Sequence, residues 1–140
     1  MADPYIDLVA EYAGDAKKAD GKYKDGALRA LKSAAVRALA GKDASGFQTK
    51  SKGPGFAFHV KVVEISGDAK TTKCVVSGSI VGYPKAFVVS IGPNPTATAT
   101  AQGSGDRVVA DCIDAAVDDL VTRKLLPGAR ARFKQHGTNP

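Results

Sequence analysis

The stretch 55–101 constrains the fold most strongly, because it contains four consecutive runs of residues that favour β-strands. In the first run, 55–65, aromatic and β-branched residues share one parity up to Val62, and polar residues occupy most of the other. Such alternation is typical of a strand with one buried and one solvated face. The parity breaks at Val63 and Ile65, which predicts a β-bulge there.

Three further runs, 71–81, 85–91 and 96–101, follow with short links. Pro84 ends the second run because proline cannot donate to a strand ladder. The fourth run alternates threonine with alanine, which suits a solvated face and a shallow inner face. Parallel crossovers need about a dozen or more residues. The short links therefore predict an antiparallel meander.

Two segments that flank the sheet have helical patterns. Residues 27–40 are rich in alanine and leucine, and Gly41 is a suitable residue after a helix end. Residues 106–125 carry an apolar stripe at helical spacing, and Pro127 with Gly128 predicts the end of that helix.

The N-terminal residues 3–13 also fit a short helix. Asp3 is a plausible N-cap, and Pro4 suits the first helical position. Apolar residues recur at helical spacing from Tyr5 to Tyr12. This segment could pack on the body of the protein or dock as an arm on a neighbouring subunit.

The predicted fold is therefore α+β: a four-stranded antiparallel β-meander flanked by an N-terminal and a C-terminal helix packed on one face. We predict an N-terminal arm with a short helix over 1–26, a single α+β domain over 27–126, and a basic C-terminal tail over 127–140. The predicted core is Leu28, Leu31, Leu39, Phe56, Phe58, Val60, Val62, Cys74, Val76, Ile80, Phe87, Val89, Ile91, Val109, Cys112, Ile113, Val117 and Leu120.

Charge and hydropathy limit the possible environments. The formal net charge of +6 permits a polyanionic partner without demanding one. No run of 18 apolar residues is present, so we expect no membrane span. The N-terminus lacks the basic and apolar regions of a signal peptide. The predicted location is cytoplasmic or virion- or particle-associated.

The two cysteines, Cys74 and Cys112, lie far apart and lack the spacing of a zinc site. In a cytosolic protein the simplest interpretation is two reduced, buried thiols that pack as small apolar groups. A disulfide between a strand and a helix is the alternative.

No motif predicts catalysis or a cofactor. His59 and His136 lack partners at a spacing that argues for a triad, and no phosphate-binding loop pattern occurs. Asp111, Asp114 and Asp118 share one flank of the second helix and could bind a divalent cation. We favour a solvated charged face, because no calcium-loop pattern accompanies them. We therefore expect no enzyme activity, cofactor or metal.

The leading hypothesis is a non-enzymatic structural or interaction protein that forms a subunit of a larger homomeric assembly, of the phage-tail-like or envelope-associated type. Open sheet edges must be covered or paired, which motivates it. The expected partner contacts are Tyr5, Ile6, Leu8, Val9, Arg130, Arg132, Phe133 and Lys134.

The alternative hypothesis is a nucleic-acid-binding protein that uses a basic loop and the C-terminal tail. It predicts affinity that falls steeply with salt concentration. Its expected contacts are Lys50, Lys52, Arg123, Lys124, Arg130, Arg132 and Lys134.

Overall fold

The structure, a computed structural model, describes residues 3–12, 21–89 and 93–140. It confirms the α+β class and shows a four-stranded sheet in the order β1-β2-β3-β4. Strand β1 is parallel to β2, and the other neighbours are antiparallel. The purely antiparallel meander is therefore wrong, because the sheet is mixed. The strands are β1 Tyr5–Tyr12, β2 Gly55–Gly67, β3 Thr71–Tyr83 and β4 Thr96–Gln102.

The predicted N-terminal helix is wrong, since this segment forms β1. Alternate side chains from Ile6 to Tyr12 face the helices, and Ile6 is buried in the core. A different apolar set, Tyr5, Leu8, Val9 and Tyr12, recurs at helical spacing, so periodicity alone could not separate the two structures. Pairing with β2 over eight residues decided the outcome.

The predicted third strand is also wrong within the described residues, and its end at 90–91 lies outside them. Residues 85–89 form only one isolated bridge, Val81 to Val88. The Phe87 ring instead lies against Gly82, where an added Cβ would be 2.1 Å from a ring carbon. The edge of β3 from Thr71 to Ser77 is taken by β4.

The helices cover one side of the sheet, which we call the inner face; the opposite side is the outer face. Helix α1 spans Lys24–Ala40 and begins three residues before the predicted start. Helix α2 spans Asp106–Leu120 and continues through a π-helical turn, Val121–Leu125. Helix α3, Leu126–His136, then occupies most of the predicted tail. No helix in the described part of the chain is both long and apolar enough to cross a membrane.

Pro127 does not end the helical region, contrary to the prediction. It occupies the first turn of α3, directly after the π-helical turn. Proline is tolerated in the first turn because its missing N–H would not be needed there. The wider turn lets the chain remain helical and buries Leu125, Leu126 and Ala129.

Most of the predicted core is buried. The bulge is confirmed as a register shift between Val62 and Glu64 in β2. Leu28, Leu39, Phe87 and Val89 are only half-buried, and Ile91 lies outside the described residues. Thirteen predicted residues are buried, namely Leu31, Phe56, Phe58, Val60, Val62, Cys74, Val76, Ile80, Val109, Cys112, Ile113, Val117 and Leu120.

Cys74 in β3 and Cys112 in α2 form a disulfide, so the prediction of two reduced thiols is wrong. Their Cα atoms lie 6.1 Å apart, within the range that a disulfide requires. Both residues are fully buried, at 0% and 1% exposure. The bond joins the inner face of the sheet to its covering helix.

Candidate interaction surface

Strand β1 holds the four N-terminal residues that the sequence assigned to partner contacts. Their side chains alternate between the faces, and Tyr5 and Ile6 are buried at 6% and 2% exposure. Leu8 and Val9 are half-buried. Two of the four side chains are thus buried within the protein itself. The part of β1 that remains accessible to a partner is chiefly the main chain along its edge.

Tyr5 and Tyr83 meet on the outer face across Gly55, which pairs with both of them. Their ring centroids are 5.0 Å apart at an interplanar angle of 61°, an edge-to-face contact. The Tyr5 hydroxyl donates to Asp7 Oδ1 at 3.1 Å. Burial, followed by the hydrogen bond and the charge of Asp7, raises the pKa of Tyr5 above its usual value of 10.0.

This raised pKa predicts a transition at high pH. Because the fold favours neutral Tyr5, its contribution to stability is complete below about pH 10 and is lost as the pH rises through the folded-state pKa. In an ultraviolet titration of phenolate absorbance, we expect the Tyr5→Phe variant to lose a step above about pH 10. An unchanged titration curve in that variant would contradict the assignment.

The outward edge of β1 presents main-chain groups without a described partner. Tyr5 N–H donates to Pro54 O on the β2 side, whereas Ile6 N–H donates outward to Gln48 O at 2.9 Å. Main-chain groups alternate along a strand. The N–H and C=O groups of Leu8 and Ala10 therefore point away from β2, and no described residue pairs with them.

An apolar groove of about 320 Å³ runs beside this edge, between β1 and the C-terminal half of α1. Val36 of α1 stands over it and is 60% exposed. We call it the β1 groove, and it is lined by Tyr5, Ile6, Asp7, Leu8, Val36, Leu39, Ala40 and Thr49. An unpaired strand edge is a template for pairing with another chain, and the β1 groove places apolar surface beside it.

The opposite edge of the sheet, β4, is open in the same way. Gly78 N–H donates to Pro95 O, so the outward groups of β4 belong to Thr96, Thr98 and Thr100. Lys124 Nζ donates to Thr96 O at the start of this edge. Within the described ranges nothing pairs with the outward groups of Thr98 and Thr100.

The outer face of the sheet is mixed in polarity, and its groups are arranged in pairs. His59 Nδ1 lies 3.7 Å from Glu11 Oε1, and Lys73 Nζ lies 3.4 Å from Glu64 Oε2. Ser79 is directly opposite His59 in the register. Among the described residues, no hydrogen bond joins the Ser79 hydroxyl to the His59 ring.

The predicted basic contacts are divided among several places. Arg130 donates to Asp43 O and Ser45 O at 2.7 and 3.2 Å, and its guanidinium lies 5.4 Å from the Phe47 ring centroid. Arg132 donates to Val89 O at 3.4 Å and to Asn139 O at 3.1 Å. These two side chains fasten α3 to loops of its own chain.

The remaining predicted contacts do not form one patch with them. Arg123 Nε pairs with Asp119 Oδ1 at 3.4 Å, and Lys124 reaches the start of β4. Phe133 packs partly against the core. Lys50, Lys52 and Lys134 are exposed.

The three aspartates of the predicted charged flank line an open groove of about 510 Å³ between α1 and α2, with Asp43 nearby. Arg37 Nη2 pairs with Asp114 Oδ1 at 2.8 Å across this groove. No group of three ligating side chains able to hold a metal ion occurs among the described residues. The described role of Asp114 is its ion pair with Arg37, which joins the two helices.

Sequence reasoning missed two parts of this surface. The β1 groove could not be predicted, because residues 3–13 were expected to form a helix and not an edge strand. Val36 was hidden because a single valine in an alanine-rich helix carries no signal of exposure.

No protein-family model and no curated protein matches the sequence. Solved structures share the fold. The hypothetical protein CT253 from Chlamydia trachomatis has a TM-score of 0.61 at 9% identity, covering 91% of this chain and 99% of that one. Protein XCC0632 from Xanthomonas campestris, of family DUF330, has a TM-score of 0.57 at 14% identity, covering 99% and 90%.

A candidate lipoprotein from Caulobacter crescentus CB15 has a TM-score of 0.50 at 15% identity, covering 96% of this chain and 93% of that one. At such low identities these similarities show a shared fold and nothing more. They agree with the α+β class that the alternation in 55–101 predicts.

Proposed function

We propose that this protein is a non-enzymatic subunit of a homomeric assembly. The observation that carries the proposal is the sheet itself, whose two edge strands expose unpaired main-chain groups in the described residues. Unpaired edges favour strand addition, and natural proteins usually shield them with charge, bulges or covering segments. The β1 groove adds exposed apolar surface at one of these edges.

We further propose that the assembly belongs to the cell envelope or to another oxidising compartment. The buried disulfide between Cys74 and Cys112 supports this, because such bonds persist mainly outside the reducing cytosol. The fold shared with the candidate lipoprotein is compatible with it. This proposal replaces the cytoplasmic location expected from the N-terminal sequence.

The nucleic-acid alternative has less support. Arg130 and Arg132 use guanidinium N–H groups on carbonyl oxygens of their own chain. Phosphate contacts would have to replace those hydrogen bonds. Lys50, Lys52 and Lys134 remain exposed and supply positive charge for phosphate, but they do not form one patch with the two arginines.

The test is the absolute mass of the purified protein by light scattering at low and physiological salt. We expect a multiple of 14.4 kDa that persists in salt, because the proposed contacts are main-chain hydrogen bonds and apolar packing. A protein that remains monomeric at high concentration would contradict the proposal.

A further inference from the structure

We infer that the β1 edge receives β4 of a second copy, so that each copy extends the sheet of the next. The inference rests on the proposed self-assembly and specifies its interface. Each chain has two open sheet edges. The main-chain groups of Leu8 and Ala10 point outward at the β1 edge, and those of Thr98 and Thr100 point outward at the β4 edge.

The strand directions permit this arrangement without turning either copy over. β1 is parallel to β2, and two antiparallel steps lead from β2 to β4, so β4 runs in the same direction as β1. A neighbour with its helices on the same side thus presents β4 parallel to β1. The two strands have eight and seven residues, or about 26 and 23 Å. Gln48 binds the outward N–H of Ile6 and Lys124 binds the carbonyl oxygen of Thr96, so the open parts of the two edges begin after these residues.

Charge favours β4 over a second β1 as the occupant. Antiparallel pairing of two β1 strands would bring the outer-face carboxylates of Asp7 and Glu11 near the same pair of carboxylates on the other copy, and like charges on neighbouring strands are destabilising. The outer-face side chains of β4 are threonines, which carry no charge and have hydroxyl groups that can donate to carboxylates.

The area argues for a folded copy rather than a single extended peptide. The β1 strand and α1 are each about 26 Å long, and the two layers together are about 20 Å high. The side of the molecule formed by β1 and α1 therefore has a projected area of about 500 Å². Its accessible area is larger, because side chains project from it, and so approaches the roughly 800 Å² that each partner buries in a stable interface. A peptide strand would cover the β1 edge but not the helix layer that holds Val36.

A contact between two different edges is heterologous. Such contacts repeat from copy to copy and generate either a closed ring or an open filament. Within either assembly, every interior copy has both edges covered. One kind of contact between copies therefore covers both unpaired edges.

Cross-linking between variants that each carry one added cysteine tests the pairing, since Cys74 and Cys112 are buried and already bonded to each other. Val9 and Thr98 have outer-face side chains near the middle of the two edges. We expect Val9→Cys and Thr98→Cys subunits, co-expressed with different tags, to form a covalent dimer with a short bis-maleimide. Neither variant alone should do so, and Ala115→Cys on the exposed side of α2 should not link to Val9→Cys. A dimer from Val9→Cys alone, or none from the co-expressed pair, would overturn the inference.

A second pair of variants tests the main-chain contact. Thr98→Pro removes an outward N–H but no ladder bond to β3, and proline is tolerated on edge strands. Thr98→Val keeps the N–H and serves as the matched control. With circular dichroism confirming the fold, we expect Thr98→Pro to lose the assembly and Thr98→Val to keep it.

The outcomes separate the two proposals. If the unaltered protein assembles and Thr98→Pro assembles equally well, this interface is wrong and the homomeric function stands. If the unaltered protein is monomeric, the homomeric function itself is wrong, and the interface fails with it.

Discussion

Removing the disulfide between Cys74 and Cys112 is expected to lower the free energy of unfolding by about 4 kcal/mol. The two residues are 38 positions apart, and closing a loop of that length removes much conformational entropy from the unfolded chain. The measurement is urea unfolding of the Cys74→Ala/Cys112→Ala double variant beside the unaltered protein. A single variant is less informative, because it would leave a buried, unpaired thiol.

The matched control is the unaltered protein, unfolded and refolded in reductant. It keeps both sulfur atoms and loses only the cross-link, so it separates the effect of the bond from the loss of side-chain packing. We expect the reduced protein to account for most of the destabilisation. Equal stability of the reduced and oxidised proteins would show that this bond does not stabilise the fold.

Gly55→Ala is expected to destabilise the protein by about 3 kcal/mol, at the upper end of the usual cost of overpacking. A Cβ at this position would lie 1.9 Å from the carbonyl oxygen of Tyr5, and a backbone atom cannot move aside as a side chain can. The strand pair β1–β2 would have to separate at its first residue. The edge-to-face contact between Tyr5 and Tyr83 would be disturbed as well.

Gly53→Ala provides the control, since an added Cβ there meets nothing within 4 Å. Both substitutions reduce the entropy of the unfolded chain similarly, so their difference reports the contact with β1. Urea unfolding of the two variants measures it. Gly55→Ala with the stability of Gly53→Ala would contradict the close approach of the strands.

The local sequence pattern predicted the structure correctly where the residues fitted only one kind of element. The strict alternation of Phe56, Phe58, Val60 and Val62 occurs in a strand with a buried face, and β2 has that structure. The parity break predicted the bulge, because an extra residue is what shifts side chains to the other face. The apolar stripe of α2 likewise predicted Val109, Ile113 and Val117 in the core.

Local pattern failed where two structures fitted the same residues. The segment 5–12 satisfies both a helical and a strand spacing, and only pairing with β2 selects the strand. Residues 85–89 resemble a strand, but the first half of the edge of β3 is occupied by β4. Pro127 signals a helix end, yet the π-helical turn before it places the proline in a new first turn.

The sequence by itself determined the α+β class, most of the core and the absence of a recognisable catalytic motif. These follow from periodicity and residue type, which act over a few neighbouring positions. Tertiary structure alone decided that Cys74 meets Cys112, that β1 is parallel to β2, and that Val36 lies beside an open strand edge. Each of these depends on contacts between residues distant in the chain, and no local preference encodes the free energy of such contacts.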